Sequence, residues 1–515
     1  MPFSSNWLSP IGVAIALWLI TTTVSADGDG EGYMQLNVDP RQKTGLLKPL
    51  RGVNGVPVQG LVSEAGADPG PHRPEDISAG YRAARVKVVR THDSGGDIDR
   101  RDGTLPALKM PRGSGSSAKR QEDVIFPNLA ADPSDPASYN FAATDKIIDG
   151  IRALGADVIF RLGRGGGTTA EPPSDLVKYG QIIRHIVLHY NKGWDNGLAK
   201  SVKYWEVWNE PDLGQIWWRG TPEQYYSLYA SAAQAVKQAD DTALVGGPTT
   251  ALVNETQPYR DGFLDYVRDK KLPLDFFSWH YYSDANDPFD FVRIGKEMHR
   301  LLAERGLSRT LNVLDEWNAS VTRGMRSVDA AQAAFVASAR IYMENSPVDL
   351  DAFYRADGDF GPDGNTPNKV GQALVAWGKL ADTPERIALT GGDTLGFAAI
   401  AGRSIDGGTI QVLISNYEIP EADRGPRRGP DVFVVPDLFT MKLPSRRSVS
   451  YGHNQGYDLV ISGLRSGARF KVDRYRITDS TDFNLVGTVS VTGPVARIRT
   501  ALPPPAIELL IVRQE

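Results

Sequence analysis

The sequence has no cysteine. Disulfides, thiolate nucleophiles, thiolate metal sites and a lipid-modified cysteine are all excluded, so packing alone must hold the chain together. Histidine is scarce, at 7 in 515 residues, and the seven make up no complete zinc-binding motif. A phosphate-cradling loop is also missing. Gly163-Arg164-Gly165-Gly166-Gly167 is glycine-rich but lacks the Lys-Ser/Thr ending that such a loop needs. No cofactor and no metal site are therefore expected. There is no excess of basic residues. A formal net charge of -5 and a pI near 5.9 leave no electrostatic footprint for nucleic acid.

Long apolar runs are absent except at the N-terminus. Residues 11–20 are apolar, Val24-x-Ala26 fits a small-residue cleavage pattern, and Asp27-Gly28-Asp29-Gly30-Glu31 follows. Residues 1–26 read as a secretory signal peptide, although the basic start of such peptides is missing. An uncleaved membrane anchor is the alternative. The expectation is a secreted or periplasmic protein with no membrane contact after signal removal.

What is present is ordinary for a globular protein, with 41% hydrophobic and 23% charged residues. A chain of this length calls for one large domain and a smaller one. Apolar, β-branched runs at residues 51–56, 84–90, 156–162, 204–209, 243–248, 275–282, 311–316 and 350–355 read as strands. Stretches of helical period follow most of them, at 141–154, 176–190, 221–239, 259–268, 289–305, 328–345 and 370–380. Thr221-Pro222 is a helix start, and Gly155 and Gly306 are helix stops. Residues 95–121 are polar and read as a long loop over the rim. Strand-helix alternation repeated eight times predicts an α/β fold, a (β/α)8 TIM barrel over residues 51–388. Beyond it, short runs at 397–400, 409–415, 432–435, 457–461, 470–475 and 507–512 are split by Gly and Pro. They predict a C-terminal antiparallel β-sandwich over 389–515, with 420–430 as a loop.

Two strand ends stand out. Tyr204-Trp205-Glu206-Val207-Trp208-Asn209-Glu210-Pro211 is strand-forming until Pro211, which cannot donate to a ladder and ends it. Leu311-Asn312-Val313-Leu314-Asp315-Glu316-Trp317-Asn318 finishes the same way on a later strand. In a parallel barrel the C-terminal strand ends carry the chemistry. Two strands each bringing a glutamate to one rim is what glycoside hydrolysis needs: one acid to protonate the leaving oxygen, and one carboxylate to meet the oxocarbenium ion. Strands four and seven face each other across the mouth, so the carboxyls can approach to about 5 Å, the retaining distance.

This order of motifs resembles the retaining β-glycosidases of clan A, and within them glycoside hydrolase family 39, which holds β-xylosidases and α-L-iduronidases. The resemblance spans residues 50–385. It implies Glu210 as general acid/base, Glu316 as nucleophile, and Asn209 on the sugar 2-hydroxyl. It matches Arg90-Thr91-His92 to the arginine-x-histidine pattern that supports the sugar, and His280 and Tyr282 to residues that position the nucleophile and bind sugar. For Arg90, orienting Glu316 from within the core is an equal alternative to sugar contact. For His280 the plainer reading is a hydrogen-bonded core histidine. The family also implies that residues 27–50 add a strand to the β-sandwich, through 34–38.

Further residues are weighed on their own chemistry. Trp317, Trp217, Trp218 and Tyr354 could stack on a pyranose, or simply pack in the barrel. Alternation would turn Asp315 away from Glu316, which gives it a structural role. Arg161 and Arg164 suit a carboxylate-bearing sugar. Asp212 points to the iduronidase branch, whereas Glu316-Trp317-Asn318 points to the xylosidase branch. The expected function is a β-xylosidase-like retaining glycoside hydrolase, working on oligo- or polysaccharide by double displacement. A uronic-acid-directed glycosidase and a non-catalytic carbohydrate-binding barrel are the alternatives.

Overall fold

The computed structural model describes residues 32–58, 76–91, 125–163, 171–199, 202–251, 253, 257–283, 286–319, 328–361, 363–421 and 454–515. The signal-peptide residues 1–26, the expected rim loop at 95–121, His92, Arg164 and the strand expected at 432–435 lie outside them.

The first strand, β1 (Tyr33–Leu46), belongs to the second domain, and eight parallel strands after it close a barrel. These are β2 (Gly52–Asn54), β3 (Val88–Arg90), β4 (Asp157–Leu162), β5 (Tyr204–Val207), β6 (Leu244–Thr250), β7 (Phe276–Ser283), β8 (Leu311–Ala319) and β9 (Leu350–Phe353). β9 pairs back onto β2 and completes the ring. Side chains alternate across each strand. Val88, Ile159, Tyr204, Phe276, Val313 and Leu350 turn inward and pack on one another as an apolar floor. Their neighbours Val89, Phe160, Trp205, Phe277 and Leu314 turn outward and pack under the helices. The inward residue after the floor is polar on several strands, and that change makes a site possible.

The helices are α1 (Ser78–Ala83), α2 (Ala142–Ala153), α3 (Leu176–Lys192), α4 (Pro222–Ala239), α5 (Gln257–Lys270), α6 (Asp290–Glu304), α7 (Ala330–Met343) and α8 (Lys369–Lys379). Local signals set several ends. Thr221 caps α4 in a reciprocal capping box with Gln224, and Pro222 follows it, a motif worth about 1 kcal/mol. Gly155 and Gly306 leave α2 and α6 at φ 72° and 73°, a left-handed turn that glycine makes without strain.

The second domain holds β10 (Glu385–Gly391), β11 (Phe397–Arg403), β12 (Thr409–Asn416), β13 (Gly456–Ser462), β14 (Arg469–Ile477), β15 (Asn484–Thr492), β16 (Val495–Ala501) and β17 (Ala506–Gln514). With β1 they make one nine-stranded sheet in the order β15-β14-β17-β12-β11-β10-β1-β13-β16. Every pairing is antiparallel except that of β1 with β13. Leu36, Phe397, Val412, Leu459, Val472, Ile498 and Leu510 come from strands spread over the whole sheet, yet share one core. The sheet therefore folds over itself as a sandwich. The boundary expected at 388/389 falls inside β10, which starts at Glu385 and pairs with β1. The edge strand β15 was not visible in the sequence, because it is largely exposed and carries no buried-face pattern. The sandwich is fixed to the barrel through α7: Ser338 Oγ donates to Gly396 O at 2.7 Å, and Ser415 Oγ donates to Ala334 O at 2.9 Å.

Candidate active site

Above the apolar floor, inward positions carry Arg90 on β3, Arg161 on β4, Glu206 on β5 and, one step further along its strand, His280 on β7. Each is at most 2% exposed. Such a layer of charge in a barrel is tolerable only if its members pair. Arg90 does most of the pairing. Its Nε donates to Glu206 Oε2 at 2.6 Å and lies 3.1 Å from Asp315 Oδ2. Nη1 donates to Glu316 Oε2 at 2.9 Å, with Asn54 Oδ1 at 3.4 Å, and Nη2 donates to Asn209 Oδ1 at 2.8 Å. With its donors occupied and no exposure, Arg90 orients Glu316 and Asn209 and does not meet a sugar. That is one of its two expected roles, and the sugar contact is corrected.

Asp315 differs from expectation. Trp279 pairs with Leu314 but His280 pairs with Glu316, so β8 carries one extra residue there. The bulge turns Asp315 and Glu316 to the same side, which plain alternation forbids. Asp315 Oδ2 then sits 3.2 Å from His280 Nε2. The bulge also decides Trp317, which returns to the outer face. It is fully buried against Phe291 and Phe353, and its Nε1 donates to Asp351 Oδ2 at 3.2 Å. Trp317 is a core residue, and its expected sugar contact is corrected.

The end of β5 is held in an unusual conformation. Trp208, Glu210 and Thr249 have φ of 77°, 43° and 57°, each costing roughly 1–2 kcal/mol for a residue with a Cβ. Several contacts enforce it. Trp208 N donates to Leu162 O at 2.7 Å and its Nε1 to Trp217 O at 2.7 Å. Glu210 N donates to Thr249 Oγ1 at 3.0 Å. The result aims Glu210 at Glu316. His280 Nδ1 lies 2.8 Å from Glu210 Oε1 and 3.9 Å from Glu316 Oε2. One nitrogen or oxygen of each of Glu210, His280 and Glu316 lies within 4.8 Å of the others. Tyr282 Oη donates to Glu316 Oε1 at 2.6 Å. The Glu210 and Glu316 side chains keep 12% and 7% exposure while His280 keeps none, so of these three the two acids are open to a ligand.

The charges follow from this packing. Burial alone would lower the Arg90 and His280 values, but the carboxylates around them hold both above their ordinary values. Burial pushes Glu206 up to about 8 against the pull of Arg90. Burial acts the same way on Asp315, yet His280 and Arg90 outweigh it and hold Asp315 low. Glu316 is raised by burial, with His280 and Arg90 pulling it back. A cation shared by Glu210, His280 and Glu316 would face the Arg90 guanidinium 2.9 Å from Glu316, so the donor set suits an organic ligand better than a metal.

The other expected residues fall into place around this centre. Asn209 is buried, and its Nδ2 has no hydrogen-bond partner among the described residues. Tyr354 stands beside the site, its ring edge-on to Tyr282 at 6.3 Å. Arg161 lies in the inward row next to Glu206. Trp218 is buried edge-on against Trp208 and packs rather than lines the opening, while Trp217 is half-buried. Asp212 accepts from Ala251 N at 3.0 Å and stabilises the loop. Sequence reasoning missed Glu206, although its place two residues after the inward Tyr204 was a usable signal.

Comparison with known proteins bears on the same residues. The model of the family "Glycosyl hydrolases family 39" matches residues 123–309. The chain is 32% identical over 164 residues to a β-xylosidase from Caldicellulosiruptor saccharolyticus, covering 28% of this chain and 31% of that one. It is 30% identical over 178 residues to a β-xylosidase from Geobacillus stearothermophilus, covering 32% and 34%. The matches thus span about a third of these curated relatives. A solved glucosidase from Croceicoccus marinus shares 34% identity at a TM-score of 0.79, over 94% of this chain and 99% of that one.

Proposed function

This chain belongs to glycoside hydrolase family 39, and we propose that it cleaves β-glycosides with retention of configuration, by double displacement. The observation that carries the proposal is the approach of the Glu210 and Glu316 carboxyl oxygens to within 4.8 Å on one rim. Retaining enzymes hold their acids about 5–5.5 Å apart, and inverting enzymes leave room for a water between them. Glu210 protonates the glycosidic oxygen as Glu316 attacks the anomeric carbon, giving a glycosyl ester. Glu210 then takes a proton from water, which attacks the same carbon and releases Glu316. Buried Asn209 has an amide N–H to offer the hydroxyl beside the reacting carbon. Arg90, His280 and Tyr282 hold the two acids in place.

The curated relatives are β-xylosidases and the structural relative is a glucosidase, which favours a β-xyloside or β-glucoside. A second reading, an acidic sugar, draws on Arg161 buried in the inward row. Export is part of the proposal, drawn from the apolar run and Val24-x-Ala26.

The test is a panel of aryl β-xyloside, β-glucoside and β-glucuronide, with the released anomer followed by NMR. The β-sugar should appear first and mutarotate afterwards. Release of the α-sugar first would contradict retention. Sugar binding with no release across the panel would favour the non-catalytic barrel.

A further inference from the structure

Glu206 and Asp315 are two fully buried acids that no step above uses. Each offers one oxygen to the same N–H. Arg90 Nε lies 2.6 Å from Glu206 Oε2 and 3.1 Å from Asp315 Oδ2. The carboxyls therefore stand side by side on one guanidinium nitrogen. Their remaining oxygens, Glu206 Oε1 and Asp315 Oδ1, are buried with no donor among the described residues. Two ionised carboxylates so placed would repel and leave both oxygens unsatisfied. One proton resolves both problems.

We propose that Glu206 and Asp315 share a single proton, carried on Glu206 and donated to Asp315 Oδ1, and that this pair is a positioning device for the catalytic acids. The choice of carrier follows from the neighbours. Asp315 forms ion pairs with two cationic side chains, Arg90 and His280, whereas the short ion pair of Glu206 is with Arg90. Burial pushes the Glu206 carboxyl up to about 8, while Asp315 is held low. The other groups facing this layer are Arg161 on β4, Glu210 at the end of β5, Asn54 on β2 and Tyr225 on α4. An ionised Asp315 keeps both nitrogens of His280 protonated. The N–H on Nδ1 then points at Glu210, and the acid/base is held against Glu316.

Substitutions separate the two acids. In Glu206→Gln the amide accepts from Arg90 and donates to Asp315, as a protonated carboxyl would. In Asp315→Asn the counter-charge of His280 is lost. E206Q should keep at least tenfold more kcat/KM than E206A or D315N, and D315N should move the alkaline limb of the pH profile to lower pH, losses of the size seen when a supporting hydrogen bond is removed, about 10–100-fold. This arm rests on the retaining-glycosidase reading. Two others do not. Wild type must keep Glu206 protonated when folded while the unfolded chain ionises it, so wild type loses stability as pH rises from about 4.5 to about 8. The melting temperature of E206Q relative to wild type should therefore climb over that window. Neutron diffraction of deuterium-exchanged wild type near neutral pH should show one deuteron between Glu206 Oε1 and Asp315 Oδ1. Equal damage and equal pH shifts in E206Q and D315N would overturn the proposal. So would a flat melting difference, or a neutron map with no deuteron between the two acids, which decides the matter even if the variants fail to fold.

Discussion

The hydroxyl of Tyr282 donates to Glu316 Oε1 across 2.6 Å, from a side chain two residues beyond His280 on the neighbouring strand. Both residues are inward positions of β7, so one strand grips both Glu210 and Glu316. A hydrogen bond to a charged partner is worth roughly 1.5–3 kcal/mol, or about 10–100-fold in rate. Tyr282→Phe should lower kcat/KM by that factor with little change in melting temperature. Steady-state kinetics beside a thermal melt checks both.

Glu210 has a different signature, because protonation matters only when the leaving group is poor. Glu210→Ala should lose about 10²–10⁴-fold on an alkyl glycoside, and far less on a dinitrophenyl glycoside. Azide should then be captured as the β-glycosyl azide, since Glu316 still forms the ester. Equal loss on both substrates would remove Glu210 from the acid role.

His280 is held cationic by its carboxylate neighbours, above its ordinary value. A folded value raised above the unfolded one stabilises the fold fully below the unfolded value, near pH 6.5. That contribution is lost as pH rises through the folded value. Thermal melts of wild type and His280→Gln should therefore differ most in mildly acidic buffer and converge in alkaline buffer.

Trp317 separates core from sugar wall. Its ring is closed in by Phe291 and Phe353, with the Arg340 guanidinium 5.8 Å above it. Trp317→Ala should cost about 3–5 kcal/mol of stability, and KM for the protein that remains folded should hold. A large KM increase with an unchanged melt would place the ring in the sugar site after all.

The barrel was legible because its strands alternate an apolar floor with outward residues that pack under amphipathic helices. That pattern is written in residues such as Ile159, Phe160 and Arg161. Glu210 lies just past the end of β5, as the proline after it implies, whereas β8 runs on past Glu316 to Ala319. Alternation misplaces Asp315 because it assumes an unbroken strand, and a single extra residue in β8 turns Asp315 to the side of Glu316; Trp317 was weighed by its aromatic chemistry alone, which says nothing of the face it occupies. The role of Arg90 could only emerge in three dimensions, because its partners come from β2, β5 and β8. In the second domain β15 escaped notice because an edge strand in solvent has no buried face to mark it.

In the proposed double displacement Glu316 holds the sugar between the two steps. Incubation with a 2-deoxy-2-fluoro glycosyl fluoride should trap that ester, and peptide mapping by mass spectrometry should find one adduct, on Glu316, that E316Q does not form. An adduct on any other residue, or continued hydrolysis by E316Q, would contradict it.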